Sequence, residues 1–406
     1  MDSVNQYAAI NVKAKYENMK HMRILILGNM ANDGYAVAKE LRKMNVDVDL
    51  AVNISDFGMA LPEWEDGTMS DKIDPYSIDG DAARKMWNPP CWIRYFDFLN
   101  KVPRKKHMMA KIQSRINLIR MMREYDIIEC HVPFSIYSQF SGIPYVAYDA
   151  GWIRYFPYSN GFRDKLARRG YRKARKIIIT NPDTFEISDG LPYLDKDKIL
   201  FCPFAIDPEK YRPLDAKELR ARYVNESDIL LFSPTRQIWN EKGNDKMIRA
   251  YAKFVKEVPN SKFIMVAWSI DEDNSKRLAS SLGISDKIEW IKPVPKNQLI
   301  QYYNASDIVL DQFILGSWGT STPEAMCCQK PVLIFYKKNY IIRAFGEEPP
   351  ILNSFTEEEI CSNLLKLAKN LDFRAVMGKK SREWIIKTHS SRVVAERHLE
   401  ILESSL

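Results

Sequence analysis

With 406 residues, 46 % of them hydrophobic, the chain is long enough for two α/β cores and too long for a typical single one. No apolar run approaches the roughly 20 residues of a membrane span, and residues 1–22 are polar and charged, without a signal-peptide pattern. The formal charge of +8 comes with no RRM, KH or zinc pattern, so nucleic acid is not an expected partner. Six cysteines show no C-x-x-C and no metal spacing, which predicts reduced, mostly buried thiols in a cytoplasmic protein.

In chain order, residues 23–28 read as a buried parallel strand, 28–34 as a loop, 35–44 as an amphipathic helix and 47–52 as the next strand. This β-loop-α-β unit is that of a doubly wound sheet. The loop lacks G-x-G-x-x-G and is not a dinucleotide site by that criterion. Residues 56–106, rich in Pro, Trp, Asp and Lys, predict loops and short helices. Strands follow at 125–131, ending on His131, at 143–149, ending on Asp149, and at 176–182. Open parallel sheets bind ligands beyond the carboxyl ends of their strands, which makes His131 and Asp149 candidates for a cleft. The plain alternatives are a backbone-bonded histidine and a helix cap. Pro208 and Pro213 mark a linker, so the domain boundary is expected near 205–215.

The second half opens with a strand at 228–236 ending on Arg236, then a loop to Lys242 and a helix with apolar spacing from 247 to 258. An Arg and a Lys flanking such a loop suit a diphosphate; spacing alone favours a solvated loop in a Lys-rich protein. Strands at 262–268 and 287–291 and a short helix at 299–307 lead to the most informative stretch, 308–336. There an apolar strand ends in Asp311, residues 316–323 form a small-residue loop, and Glu324 opens a helix. Backbone N–H groups at a helix start favour anions, so Gly319, Thr320 and Ser321 are candidate phosphate contacts. Residues 356–405 read as a pair of amphipathic helices.

The stretch GSWGTSTPEAMCCQKPVL (316–333) resembles the donor-site motif of GT-B glycosyltransferases of family four, roughly E-G-F-G-x-x-x-x-E-A-M-A-x-G-x-P-V-I. Trp318, Gly319, Glu324-Ala-Met and Pro331-Val332 match it. The first Glu of the family pattern is Gly316 here. Asp311-Gln312-Phe313 matches a variant of the pattern, in which Asp311 either compensates for that Glu or only bonds backbone. Residues 235–243 resemble G-R-x-x-x-x-K-G with one residue more and Thr235 in place of Gly. Residues 142–151 follow G-x-P-x-V-x-x-x-H-G except that Ala150 stands for the His. The resemblance is strong over 228–336 and weak over 56–125.

The resemblance implies an α/β chain of GT-B fold, two Rossmann-like doubly wound domains facing across a cleft. Residues 1–207 form the acceptor side, 208–385 bind the nucleotide sugar, and 386–406 return as a helix towards the first domain. The implied reaction moves a sugar from a nucleotide-diphosphate sugar, of UDP or GDP type, to a hydroxyl of a glycan or lipid-linked acceptor. Retention of configuration and independence of metal or other cofactor are implied with it. Arg236, Lys242, Gly319, Thr320 and Ser321 are then expected on the donor, and Glu324 on its ribose hydroxyls. Asp149, His131 and Asp311 are the catalytic candidates, and 56–106 are expected around the acceptor. Two other readings stay open: a sugar-nucleotide epimerase or hydrolase, and a non-catalytic sugar-nucleotide-binding protein. Finally, residues 163–176 hold eight cations and one anion, 101–111 are also basic, and Trp152, Tyr155, Phe156 and Tyr158 lie just upstream. That mixture suits a peripheral contact with anionic membrane, at the inner face; a solvated helix face is the plain alternative.

Overall fold

The computed structural model describes residues 22–54, 56, 60–67, 87–98 and 108–406. The readings made for residues 1–21, for most of 57–86 and for 99–107 lie outside the described residues.

Short runs that are apolar on both faces belong in parallel sheets covered by helices on both sides. β1 (Ile24–Leu27) is such a run, buried at every position. Among the described residues it lies in a seven-stranded parallel sheet with β2 (Val48–Asn53), β3 (Ile93–Phe96), β4 (Ile127–His131), β5 (Tyr145–Asp149), β6 (Ile177–Ile179) and β7 (Ile199–Phe201), in the order β3-β2-β1-β4-β5-β6-β7. A second parallel sheet holds β8 (Ile229–Ser233), β9 (Ser261–Val266), β10 (Ile288–Ile291), β11 (Ile308–Leu310), β12 (Val332–Ile334) and β13 (Leu352–Asn353), in the order β10-β9-β8-β11-β12-β13. Each sheet has apolar clusters on both faces. The two doubly wound sheets are the expected architecture. In each, the strand order reverses beside the first strand, between β1 and β4 and between β8 and β11. Those reversals are where crevices open in such sheets.

Three corrections concern local structure. β3 falls inside the stretch expected to hold only loops and short helices, and pairs with β2. The helix expected to open at Glu324 starts at Ser321, with Pro323 in its first turn, where a missing N–H costs nothing. The C-terminal pair is three helices, Glu357–Lys369, Leu371–His389 and Ser391–Glu403. Asn370 breaks the first from the second, its side chain accepting from Phe373 N at 2.8 Å. Ser390 turns extended (φ −55°, ψ 140°) and pairs with Ile206.

The last helix packs on helix Asp33–Lys43, β4 and β5 of the first sheet. Its His398 Nδ1 lies 2.7 Å from Glu129 Oε2 of β4, with both side chains fully buried. Burial raises Glu129, but His398 and His131 outweigh it and hold the carboxylate down at about 2. Burial lowers His398, but the Glu129 charge outweighs it and holds the imidazole well above its usual value. Arg382 of the preceding helix donates to the carbonyls of Pro208 (3.1 Å) and Tyr211 (2.9 Å), tying the linker down. No helix among the described residues is long and apolar enough to cross a membrane.

Removing one partner of a buried pair strands the other charge, at a cost of about 3–5 kcal/mol. His398→Ala should therefore lower the unfolding free energy by about that much in a denaturant titration at neutral pH. The Glu129 contribution is whole above the ordinary carboxylate range and is lost as the pH falls towards about 2. That of His398 is whole below the ordinary imidazole value and fades as the pH rises through its raised one. Stability of Glu129→Gln measured against pH should lose the acid limb.

Candidate functional site: a cleft between the two sheets

A cleft of about 340 Å³ lies between the carboxyl edges of the sheets. The first domain supplies Ala31, Asn32 and Trp64; the second supplies residues from the ends of β8, β9 and β11 and from the 316–321 loop. Ala31 and Asn32 have left-handed backbone, φ 55° and 62°, a conformation that costs non-glycine residues energy and needs outside support. Support comes from Asn29, which donates to Asn32 Oδ1 (2.7 Å) and Ala60 O (2.8 Å) and accepts from Tyr35 N (2.8 Å).

On the second-domain wall, Arg236 and Lys242 both line the cleft. Arg236 is exposed and lies 3.4 Å from Glu241. Lys242 donates to Gln312 Oε1 at 2.5 Å. Burial, reinforced by Arg236 and Arg154 and opposed by Asp311, pulls the Lys242 ammonium down to about 8. A cation made easier to deprotonate by neighbouring cations is a site short of negative charge. Gln312 also donates to Ser317 O, so one buried amide fixes both Lys242 and the following loop. Gly319, Thr320 and Ser321 line the cleft beside them. Val266, Trp268, Pro293, Val294 and Leu299 make the rest of this wall apolar.

Glu324 is 2 % exposed and turns away from this cleft, lining a small adjoining cavity of about 40 Å³. It accepts from Lys296 Nζ and, at 2.9 Å, from Tyr303 Oη. Burial raises its pKa against the pull of Lys296. Lys296 itself lines the larger cleft. Sequence reasoning missed Lys296, Gln312 and Trp64. Only Gln312 had a signal, its place in the D-Q-F variant.

The catalytic candidates separate. Asp311 lines the cleft and accepts from Thr322 Oγ1 at 2.6 Å. Burial raises it, and Lys242 and Thr322 work against that rise. Asp149 is a correction: it does not line the cleft. It is fully buried, accepting from Gly151 N (2.7 Å), Ile153 N (3.2 Å) and Tyr171 Oη, so it fixes the turn that leads into the short helix Trp152–Arg154. His131 is also a correction. It lies beneath the Gly28–Asn32 loop, stacked on Tyr148 at 4.1 Å, and its Nδ1 accepts from Met30 N at 3.2 Å. It supports the cleft loop from behind. Gly316, where the family pattern has Glu, has φ +79°, and a Cβ there would come within 2.9 Å of Lys337 Cγ. The left-handed backbone favours glycine at that point.

The two domains also touch across the cleft. Arg154 grips Asp183 through two 2.6 Å bonds, and Asp183 accepts from Ser317 Oγ of the opposite loop. Tyr155 Oη donates to Glu241 at 3.0 Å. Among the described residues no group of three or more His, Cys, Asp or Glu side chains is placed to hold a metal ion.

Two facing parallel domains, with the site on the carboxyl edges between them, define a GT-B protein. Solved structures share this fold along nearly the whole chain. Anabaena Alr3699/HepE in complex with UDP and glucose superposes with a TM-score of 0.69, 15 % identity, and coverage of 95 % of this chain and 100 % of that one. Sucrose-phosphate synthase from Thermosynechococcus elongatus gives 0.68, 14 %, 95 % and 99 %. Residues 216–384 match the family Glycosyl transferases group 1, so the second domain carries the pattern of that glycosyltransferase family. D-inositol 3-phosphate glycosyltransferase of Stackebrandtia nassauensis is 27 % identical over 166 residues, a match covering 38 % of this chain and 38 % of that protein.

The geometry separates structure from site in one comparison. Asp149→Ala removes a buried hydrogen-bond acceptor and should lower stability by roughly 1–3 kcal/mol while leaving the affinity of any ligand of the cleft unchanged. Asp311→Asn should alter that affinity with a smaller change in stability. Parallel thermal unfolding and calorimetric titration of both variants read the difference.

Proposed function

We propose that the chain transfers a glycosyl group from a nucleotide-diphosphate sugar to a hydroxyl acceptor, with retention of configuration and without a metal ion. The observation that carries this reading is the chemistry of the second-domain wall. Arg236 and the burial-depressed Lys242 stand beside the amides of the 319–321 loop, next to an apolar surface of Val266, Trp268, Pro293 and Val294. Cations suit a diphosphate and apolar walls suit a base and sugar. The complexes of the similarly folded Anabaena protein with UDP and with UDP-glucose support a nucleotide sugar as the ligand.

Chemically, the bond from the anomeric carbon to the diphosphate oxygen breaks while the acceptor oxygen bonds to that carbon. Negative charge grows on the departing diphosphate, and Arg236, Lys242 and the loop amides are placed to take it up. Asp311 keeps Lys242 charged by its own negative field, and Gln312 aims the ammonium. Because Asp149 and His131 are buried behind the cleft, we assign the acceptor proton to the departing phosphate oxygen. Glu324 reaches ribose hydroxyls only if Lys296 yields one of its oxygens.

A second reading, donor binding without transfer, is favoured by Gly316, which leaves the donor end of the cleft without the family carboxylate. Turnover of a sugar nucleotide over an acceptor panel separates the two.

A thermal-shift screen of uridine, guanosine and adenosine diphosphates and their sugar conjugates, with EDTA present, tests the site. A ligand at about 100 times its dissociation constant stabilises by about 2.7 kcal/mol. Arg236→Ala should weaken the bound nucleotide by roughly 1.5–3 kcal/mol. Wild-type affinity in that variant would sink the assignment.

Lys242 adds a pH signature. Affinity should fall as the pH rises through about 8, where the free site loses this cation. Lys242→Arg, permanently charged, should flatten the profile; calorimetry across that range checks it.

A further inference from the structure

Helix Met108–Met122 buries only Leu118 and Met122. Ile119 and Met121 are half-buried, with Met121 packed against the core, but four large apolar side chains face outward: Met108 and Met109 are 64 % and 75 % exposed, Ile112 and Ile116 45 % and 40 %. Positions 108, 112 and 116 recur every four residues, so they form one stripe, with Met109 beside it. A helix that only covers a sheet needs no second apolar face towards water.

Two neighbouring helices share this side of the sheet. This helix packs on the short helix Ser135–Ser138, which packs on helix Phe162–Lys173. Leu118, Met122 and Tyr171 share one core cluster, so both long helices lie on the same face of the first sheet. The second of them starts with Phe162, 78 % exposed. Cations dominate both. Residues 108–122 contain three cations and no acid; residues 162–173 contain six cations and one acid. Arg163, Lys165, Arg169, Arg172 and Lys173 are exposed. Exposed apolar side chains ringed by cations complement a surface that is apolar within and anionic at its rim.

Orientation adds a second argument. Both helices connect parallel strands, β3 to β4 and β5 to β6, and run opposite to them. Their N-terminal ends, which carry Met108, Met109 and Phe162, therefore lie at the carboxyl edge of the sheet, where the cleft opens.

We propose that this face docks the protein on an anionic phospholipid surface. Met108, Met109, Ile112 and Phe162 enter the interfacial layer, and the helix cations meet the headgroups. The cleft then opens beside the membrane. The docking does not depend on the glycosyl-transfer reading, and the two fail separately.

Co-sedimentation with vesicles tests it, using phosphatidylcholine alone and the same lipid with about one third phosphatidylglycerol. The wild-type chain should pellet with the anionic vesicles, less so at high salt, and stay in solution with neutral ones. The double variant Met109→Glu, Ile112→Glu should lose binding. Arg163→Glu with Lys165→Glu should weaken partitioning by roughly fivefold or more per cation. Both should keep the wild-type melting temperature and nucleotide-induced shift, which reads the donor site independently. Equal recovery from both vesicle types, or none from either, overturns the proposal. So does light scattering that shows a wild-type dimer made monomeric by the Met109, Ile112 variant, because a second copy then covers the stripe.

Discussion

The buried pair of Glu129 and His398 is the interaction on which the two-domain arrangement rests. Glu129 sits on the central strand β4 beside the strand-order reversal, and His398 comes from the last helix of the chain. Two charges buried together are tolerated only when each satisfies the other. The last helix is thus fixed to the first sheet, although the helix before it packs on the second domain at helix Ser321–Cys327. Arg382 adds a hold on the linker carbonyls of Pro208 and Tyr211. The carboxyl edges of the two sheets are held facing each other by this return of the chain.

The same cluster reaches the cleft from behind. His131 shares Glu129 with His398, stacks on Tyr148 and accepts from Met30 of the cleft loop. That loop holds Ala31 and Asn32 in left-handed backbone, which persists only where surrounding bonds over-determine it. The first-domain wall has no charged group among its lining residues Ala31, Asn32 and Trp64. The second-domain wall concentrates the cations. The domains divide the labour: one supplies charge and apolar surface, the other shape.

Gly316 and Lys296 show how this chain departs from the family pattern. A positive φ and the close approach of Lys337 disfavour a carboxylate at 316. Lys296 engages Glu324, so the carboxylate that the pattern does retain is held by an internal cation. Asp311, two residues past the middle of β11, is the acid that stays in the cleft.

Much of this was legible in the sequence. Apolar runs such as 24–27, 229–233 and 308–310 declare buried parallel strands, because only strands covered on both faces are apolar throughout. That Arg236 and Lys242 stand beside the 319–321 loop was legible as well, because each lies in one loop-helix unit at a strand end. Strand β3 was not legible, since three of its four positions are only half-buried and its pattern is weak. The break at Ser390 was not legible either, because it depends on a backbone bridge to Ile206. Position at a strand end made Asp149 and His131 look like cleft residues, but sequence cannot say which way a strand-end side chain turns. Tertiary packing turned Asp149 into a buried turn and His131 under a loop. It joined Glu324 to Lys296 and Glu129 to His398 across 28 and 269 residues. The sequence by itself determined the two sheets and the charge of the second-domain wall, because these follow from local pattern. Only the tertiary structure decided which charges face the cleft and which neutralise one another in the interior, because that depends on partners distant in the chain.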